Sequence, residues 1–215
     1  MSSINPHYTF QYSQPEHYRF SHDSVFLARK VFELSSESDV QSLRGLDLCS
    51  GCGVIGLDFI YHCQKQWGKV PASFDFLEVQ DVYLEHFTKN VSELNAGFCD
   101  TRFVNKNYEV LKDSEYKDRY DLILSNPPYF RPSQGKMSPS EFKNRCRFFI
   151  DADFSNLILG IENALKPGGQ AYVLLRDLTD HGWSPFAEAQ ELLSMCSLEK
   201  IGDIRGTDLV LISKK

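Results

Sequence analysis

Short apolar runs alternate along the chain with segments whose apolar residues recur at helical spacing. The runs predict strands at 45–49, 72–78, 101–104, 120–125, 170–176, 199–204 and 208–213. The helical spacing predicts helices at 57–66, 81–94, 152–165 and 185–195, and a leader helix that starts near Ser24. Such alternation indicates an α/β fold, in which helices cover both faces of a mostly parallel sheet.

Two segments interrupt this pattern. Lys166-Pro-Gly-Gly169 is a stop signal that is predicted to close the helix at 152–165 before the next strand begins. Residues 131–147 are predicted to form a loop, and they carry five basic residues against one acidic residue. These basic residues are Arg131, Lys136, Lys143, Arg145 and Arg147.

A glycine-rich turn follows the first predicted strand, and its sequence is Asp47-Leu-Cys-Ser-Gly51-Cys-Gly53-Val-Ile-Gly56. The glycines match G-x-G-x-x-G, a pattern of dinucleotide sites, and ligands of open α/β sheets bind beyond the carboxyl ends of the strands. Glu78 ends the second strand, where a carboxylate can accept hydrogen bonds from ribose hydroxyls. Asp47 would be buried and would need a donor, which favours a cationic amino-acid cofactor over NAD.

The fourth predicted strand ends in Asn126-Pro-Pro-Tyr129. Two prolines stiffen this segment, so that the Asn126 side chain is held at the binding edge of the sheet. An amide is a poor general base, but its oxygen can accept a hydrogen bond from an amino group, together with the Pro127 carbonyl. Tyr129 offers a ring on which a planar substrate can stack. This combination predicts that an amine is oriented towards an electrophile.

Composition and charge narrow the class of protein. The 215 residues carry a net charge of −6, which argues against a protein that coats nucleic acid by charge alone. We expect one domain over 1–215, with an N-terminal leader at 1–43 and a catalytic core at 44–213. Six cysteines indicate free thiols in a reducing cytoplasm. No apolar run is long enough to span a membrane, and the first residues lack the pattern of a signal peptide.

Taken together, the loop from Asp47 to Gly53, Glu78 and the Asn126-Pro-Pro-Tyr129 segment resemble the class I S-adenosylmethionine-dependent methyltransferases that modify planar nitrogens. The resemblance covers about residues 20–213. It implies a seven-stranded sheet of order 3-2-1-4-5-7-6, with strand seven antiparallel. It also implies that the loop, including Ser50 and Gly51, holds the methionine part of the cofactor and that Glu78 holds the ribose.

One subfamily is the most similar, the bacterial tRNA (adenine-N6)-methyltransferases. The features that it shares are the leader motif Phe20-Ser-His-Asp-Ser-Val-Phe-Leu-Ala28, the helix with Asn90-Val91, the Asn-Pro-Pro-Tyr-Phe segment and the basic stretch after it. The resemblance implies catalytic roles for Asn126, Pro127 and Tyr129. Because the basic stretch directly follows Tyr129, we expect a tRNA substrate to contact Pro128, Phe130, Arg131, Lys143 and Arg145. The resemblance further places Asp23 near the cofactor pocket.

Two positions depart from that subfamily. Cys49 stands where it usually has glycine, and a side chain there would crowd the methionine pocket. After the third strand the subfamily usually has an acid that contacts the cofactor adenine. Asn107 is the best match for that acid, and its amide could still accept a bond from the adenine amine.

Several alternatives remain open from the sequence. Methylation of a release-factor glutamine uses the same segment, although 43 residues before the first strand are too few for the helical domain that those enzymes usually carry. Methylation of guanine in ribosomal RNA is a second alternative. Two further alternatives lie outside the methyltransferases: a non-catalytic nucleotide-binding module and an NAD-dependent oxidoreductase.

Some features predict no site of their own, or leave two interpretations open. Cys49 and Cys52 form a C-x-x-C pair that could be a redox site, but the glycine loop explains both residues. We expect no metal, because no second such pair is present, and we favour a monomer. The N-terminal aromatic residues either stack on RNA bases or pack on the domain. They are His7, Tyr8, Phe10, Tyr12, His17, Tyr18 and Phe20.

Overall fold

The computed structural model describes residues 11–16, 19–94 and 99–215. The helices are α1 His22–Leu34, α2 Val54–Trp67, α3 Tyr83–Leu94, α4 Glu141–Arg147, α5 Phe154–Ala164 and α6 Pro185–Leu192. The strands are β1 Arg44–Leu48, β2 Ser73–Glu78, β3 Asp100–Asn105, β4 Tyr120–Ser125, β5 Leu165–Leu175, β6 Cys196–Ile204 and β7 Thr207–Lys214.

The seven strands form one sheet in the order β3-β2-β1-β4-β5-β7-β6. The first five strands along the chain pair in parallel, whereas β7 is antiparallel to both β5 and β6. The predicted α/β class and strand order are therefore confirmed. Parallel strands put the carboxyl ends of β1, β2 and β4 at one edge of the sheet, and this edge carries the predicted site residues.

Two buried cores lie on opposite faces of the sheet. Helices α1, α2 and α3 pack on one face, against strand residues such as Phe74 and Leu124. Helices α5 and α6 pack on the other face, against strand residues such as Leu46 and Ile123. Because successive strand residues point to opposite faces, the nearly continuous apolar sequence of each central strand supplies both cores.

The Lys166-Pro-Gly-Gly169 segment follows the end of a helix, as the sequence predicted, but it already belongs to β5. Helix α5 ends at Ala164, and the chain enters β5 at once. The pairing of β5 with β4 shifts register between Tyr120 and Leu122, and Gly168 has a φ of 79°. Proline and a left-handed glycine are accommodated because this part of the strand bulges.

Residues 131–147 are also not simply a loop. Their second half is the helix α4, whose N-cap Ser140 accepts a hydrogen bond from the Lys143 amide at 3.4 Å. The buried Asn144 side chain binds Ser138, with its oxygen 2.7 Å from the Ser138 amide and its nitrogen 2.8 Å from the carbonyl. These local contacts fix the first turn of α4, and the Arg147 carbonyl at its other end accepts hydrogen bonds from the Tyr129 and Phe130 amides after β4.

The leader packs on the domain where it is described. The Tyr12 hydroxyl donates to the buried Asp58 carboxylate at 2.6 Å, and the Asn90 side chain bonds to both backbone groups of Ser13. Tyr12 is 5% exposed and therefore has no face available for stacking on a base. The predictions for His7, Tyr8, Phe10, His17 and Tyr18 fall outside the described residues. None of the described helices is long and apolar enough to cross a membrane.

Candidate functional site

A cavity of about 460 Å³ opens at the carboxyl ends of β1, β2 and β4. Its volume falls within the usual range for small-molecule and cofactor sites. Several residues predicted from the sequence line it together: Ser50, Gly51, Glu78, Asn126, Pro127, Pro128, Tyr129, Phe130 and Arg145. The structure therefore brings the glycine-rich turn and the Asn-Pro-Pro-Tyr segment to one cavity.

The glycine-rich turn uses the left-handed backbone region repeatedly. Gly51 has a φ of 54° and Gly53 a φ of 83°, values that glycine adopts without steric cost. A Cβ at Gly53 would also lie 2.8 Å from the Phe87 ring. At Gly56, a Cβ would lie 2.6 Å from the Phe76 ring, so this third glycine lets α2 pack closely on β2.

Asp47 is a buried carboxyl whose hydrogen bonding is incomplete. One oxygen accepts from the Gly56 amide at 2.9 Å, and the other has no hydrogen-bond partner among the residues described. Burial raises its pKa well above the ordinary value, and the nearby Glu78 charge adds to this effect. Asp47 does not itself line the cavity, but it lies under the turn that does.

Glu78 lines the cavity and is held by the backbone. Its two carboxylate oxygens accept from the Gly51 and Gln80 amides, each at 2.9 Å. Burial raises its pKa, although these two hydrogen bonds oppose the shift. Each oxygen keeps a further lone pair, so a fixed Glu78 carboxylate can accept bonds from a pair of hydroxyls.

Cys49 occupies a position that suits glycine, since its φ is 60°. A residue with a Cβ is strained in this region by about 1–2 kcal/mol. Burial raises the pKa of the Cys49 thiol, and the Glu78 and Asp47 charges raise it further. The pKa of Cys52 is raised to about 12, chiefly by burial. Both side chains therefore remain free thiols rather than thiolates, which argues against a redox C-x-x-C site.

Asn126 is fixed by hydrogen bonds from both ends of its amide. Its nitrogen donates to the Ser24 hydroxyl at 3.1 Å and to the Ser21 hydroxyl at 3.3 Å. Its oxygen accepts from the Tyr129 hydroxyl at 2.6 Å. An incoming amine that donates to the Asn126 oxygen must therefore share this oxygen with the Tyr129 hydroxyl or displace that hydroxyl from it.

Ser21 and Ser24 line the cavity but were not predicted as site residues. The leader motif that contains them is a sequence signal, yet its link to Asn126 is tertiary. Other lining residues missed by the sequence analysis form a wall between α3 and α4. In this wall the Cys146 sulfur lies 3.4 Å from the side-chain nitrogen Nε2 of Gln80 and 3.3 Å from the Tyr83 hydroxyl.

Asn107 and Asp23 are predicted cofactor residues that lie beside the cavity without lining it. Asn107 caps the short helix after β3, since its side-chain oxygen accepts from the Glu109 amide at 3.0 Å. Its side-chain nitrogen donates to the Asp151 carbonyl at 2.7 Å, so both the oxygen and the nitrogen of the side-chain amide already have protein partners. Asp23 lies 3.6 Å from Arg205, and burial raises its pKa.

The predicted basic residues differ in how much charge they can offer a substrate. Arg131 forms an ion pair with Glu188 and stacks on Trp183, 4.3 Å from the ring centre. Arg145 forms an ion pair with Asp151 at 2.8 Å. Lys143 is half-buried. The substrate-binding role of these basic residues remains a prediction, and it is weakest for the two paired arginines.

Within the described ranges, histidine, cysteine, aspartate and glutamate side chains form no group of three that could hold a metal ion. No protein-family model matches the chain.

Comparison with known proteins found relatives of two kinds. The chain is 25% identical to the tRNA1(Val) (adenine(37)-N6)-methyltransferase of Bacteroides fragilis, over 70% of this chain and 60% of that protein. Relatives with the same name come from Christiangramia, Dyadobacter and Shewanella. The chain is also 26% identical to the release factor glutamine methyltransferase of Bordetella pertussis, over 82% and 64% of the two chains.

Among solved structures, the 16S rRNA N2 G1207 methyltransferase RsmC of T. thermophilus, in complex with AdoMet and guanosine, matches with a TM-score of 0.64. It is 15% identical and covers 92% of this chain and 44% of its own. The chain has the class I methyltransferase fold. The resemblance inferred from the sequence is thereby confirmed.

The chain spans about 60% of the length of the first curated relatives it matches. In the methyltransferase fold that it adopts, the ends of β1, β2 and β4 carry Asp47, Glu78 and Asn126. The cavity at these three ends is accordingly the candidate site for cofactor and substrate.

Proposed function

We propose that the chain is an S-adenosylmethionine-dependent N-methyltransferase that modifies the exocyclic amine of an adenine in tRNA. The single observation that carries the proposal is the position of Asn126. Its amide, fixed at the end of β4, lines the same cavity as Glu78 and the glycine-rich turn. The names of the relatives from Bacteroides and Dyadobacter support tRNA adenine as the acceptor.

The cavity fits the proposed cofactor in its donors and acceptors. Glu78 presents a carboxylate to the ribose hydroxyls. The unpaired oxygen of Asp47 can be compensated by a cationic group near the turn, directly or through water. The buried Ser50 hydroxyl also lacks a hydrogen-bond partner in the described chain and lines the cavity. We assign Ser50, Gly51 and Gly53 to the methionine end, with Asn107 and Asp23 as outer supports of the pocket.

When bound, S-adenosylmethionine supplies an electrophilic methyl group. The protein residues orient the acceptor. The Asn126 side-chain oxygen and the Pro127 carbonyl accept hydrogen bonds from the two N–H groups of the amine, so that the nitrogen lone pair points at the methyl carbon. Tyr129 packs against the base, which has to leave its stack to enter the cavity. The proton leaves to water after transfer, and no general base is needed.

Positioning is the main contribution in this mechanism. Holding two reactants in line can lower a barrier by about 7–11 kcal/mol at best. The hydrogen bonds from Asn126 to Ser21 and Ser24 serve this purpose, because they fix the amide before the substrate arrives.

A second candidate is methylation of a glutamine in a protein. The similarity to the Bordetella release factor enzyme favours it, and a glutamine amide would present the same N–H groups to Asn126. Methylation of an RNA guanine is a further variant of the same chemistry. A tRNA substrate agrees with the cytoplasmic location that the sequence predicts.

The experiment that tests the proposal is radiolabelled methyl transfer. Total tRNA from a strain that lacks this protein is the acceptor, and the labelled nucleoside is then identified. We expect N6-methyladenosine from the wild-type protein and a loss of label with Asn126→Ala. Label in a release factor but none in tRNA would contradict the proposal and support the glutamine candidate.

A further inference from the structure

Two arginines stand at the mouth of the cavity on a shared aromatic ring. The guanidinium carbon of Arg147 lies 5.7 Å from the centre of the Phe130 ring, and that of Arg176 lies 5.8 Å from the same centre. Both side chains line the cavity, and both residues are exposed. Phe130 directly follows the Asn-Pro-Pro-Tyr segment, so the two cations are beside the proposed acceptor site.

Within the described ranges these arginines, unlike their neighbours, have no carboxylate partner. Arg131 and Arg145 are neutralised by Glu188 and Asp151. Arg147 and Arg176 form no ion pair in the described part of the chain. Both positive charges lie beside the same ring, and an anion bound at this place would be attracted by them.

The acidic groups near Arg176 are engaged elsewhere. Asp177, its neighbour in sequence, accepts hydrogen bonds from the amide and hydroxyl of Thr179. The Arg176 charge is among those that lower the pKa of Asp23, but the ion-pair partner of Asp23 is Arg205. The guanidinium groups of Arg147 and Arg176, which we call the arginine pair, are therefore available to a ligand.

We propose that the arginine pair binds the RNA phosphate next to the nucleotide that enters the cavity. This inference rests on the proposed RNA substrate. A guanidinium group has the planar donors that suit a phosphate, and stacking on Phe130 holds it in place before binding. A phosphate beside the flipped base would fix the backbone while Asn126 receives the amine.

The chemistry of the pair favours RNA over a protein acceptor. Every nucleotide carries a phosphate at a fixed distance from its base, so an anion always accompanies the target. A glutamine side chain brings no such charge. The same reasoning predicts that Arg147 and Arg176, rather than the paired Arg131 and Arg145, set the salt dependence of RNA binding.

The test is a salt titration of binding to an unmodified valine tRNA transcript. Each phosphate contact adds about 0.7–0.9 to the slope of log affinity against log salt. The double variant Arg147→Gln/Arg176→Gln should therefore flatten the slope by about 0.7–0.9, because the pair shares one phosphate. The variant Arg147→Lys/Arg176→Lys keeps both charges and should keep most of the slope.

The matched control removes two exposed cations from the opposite edge of the sheet. Arg44 begins β1 and Lys117 precedes β4, so both lie at the amino ends of the strands. Arg44→Gln/Lys117→Gln should leave the slope unchanged. Thermal unfolding of each variant checks that it is folded.

The outcomes separate the inference from the proposed function. If the glutamine variant of the arginine pair has the wild-type slope while the wild type methylates tRNA, the pair does not bind phosphate and the proposed function stands. If the wild type neither binds nor methylates any RNA, the proposed substrate and the arginine pair are both wrong.

Discussion

Two buried aspartates lie one step apart in the register of neighbouring strands, on opposite faces of the sheet. Asp75 of β2 pairs with Leu46, and Asp47 of β1 pairs with Phe76. Asp75 accepts from the Arg102 and Arg119 guanidinium groups and from the Tyr120 hydroxyl.

Asp47, in contrast, has a single backbone donor, and one of its oxygens has no hydrogen-bond partner among the described residues. Burial of a carboxylate is costly unless it is paired. On the Asp75 face that cost is met by the protein itself. On the Asp47 face it is met by protonation or by a ligand. Both aspartates are buried, so incomplete hydrogen bonding, rather than burial alone, distinguishes Asp47 from Asp75.

The largest effect is expected at the candidate site, at the carboxyl edge of the sheet. Asn126→Ala should reduce methyl transfer by about a hundredfold or more, comparable to the loss of one oriented catalytic hydrogen bond. Affinity for S-adenosylhomocysteine should stay near the wild-type value, because Asn126 binds the acceptor. Single-turnover kinetics and calorimetry measure the two quantities. Full activity of this variant on its cognate RNA would contradict the role of Asn126.

At Asp75 the expected effect is a loss of stability. Asp75→Ala leaves the buried Tyr120 hydroxyl and two guanidinium groups without their acceptor, which should cost about 1–3 kcal/mol of unfolding free energy. Denaturant unfolding measures it. Glu37→Ala is the control, since it removes only an exposed ion pair with Lys69 and should cost less than about 1 kcal/mol. Equal losses for both variants would contradict the structural role of Asp75.

Glu78 tests the ligand side of the comparison. Glu78→Ala should weaken cofactor binding by about 1–3 kcal/mol, because the ribose hydroxyls and two backbone amides lose an acceptor. Glu162→Ala is a matched control, since this buried glutamate accepts from the Ser194, Met195 and Cys196 amides on the far side of the domain. It should destabilise the protein without changing cofactor affinity. A similar loss of affinity in both variants would show that Glu78 acts through folding alone.

The smallest effect is expected at Cys49. Cys49→Gly should relieve the left-handed backbone strain and raise the unfolding free energy by up to about 1 kcal/mol. The gain is limited because glycine loses more conformational entropy on folding. Cys49→Ala keeps a Cβ and should show no gain. If alanine stabilised the protein as much as glycine, the sulfur rather than the backbone would be the source of the strain.

The sequence predicted the fold and the residues that meet at the candidate site because their signals are local. β4 was predicted with its observed bounds, and the glycine turn, Glu78 and Asn126 all stand at strand ends. Parallel strands then bring those ends together without further information.

The rest depends on contacts between distant residues. Ser24 lies 102 positions before the Asn126 that it orients. The neutralisation of Arg131 depends on Glu188 in α6. Helix α4 has 7 residues and follows a segment rich in proline and serine, so its local signal was too weak. The sequence indicated that a buried Asp47 needs a donor, but only the structure shows that one of its two oxygens has a donor among the described residues and the other has none.

The most direct test of the difference between Asp47 and Asp75 is the pH dependence of S-adenosylmethionine binding. Burial raises the pKa of Asp47 and Glu78, so the cofactor-free protein holds protons that its unfolded chain would release above about pH 4. A cationic ligand favours the ionised carboxyls, and its binding should release a proton.

Calorimetry between pH 5 and pH 7 should therefore give an affinity that rises with pH and reaches the micromolar range, about −8 kcal/mol. Asp47→Asn should weaken binding and flatten this rise, whereas Asp75→Asn should leave the rise intact. Tight binding of NAD without binding of S-adenosylmethionine would contradict the account. So would an affinity that is independent of pH and unchanged by Asp47→Asn.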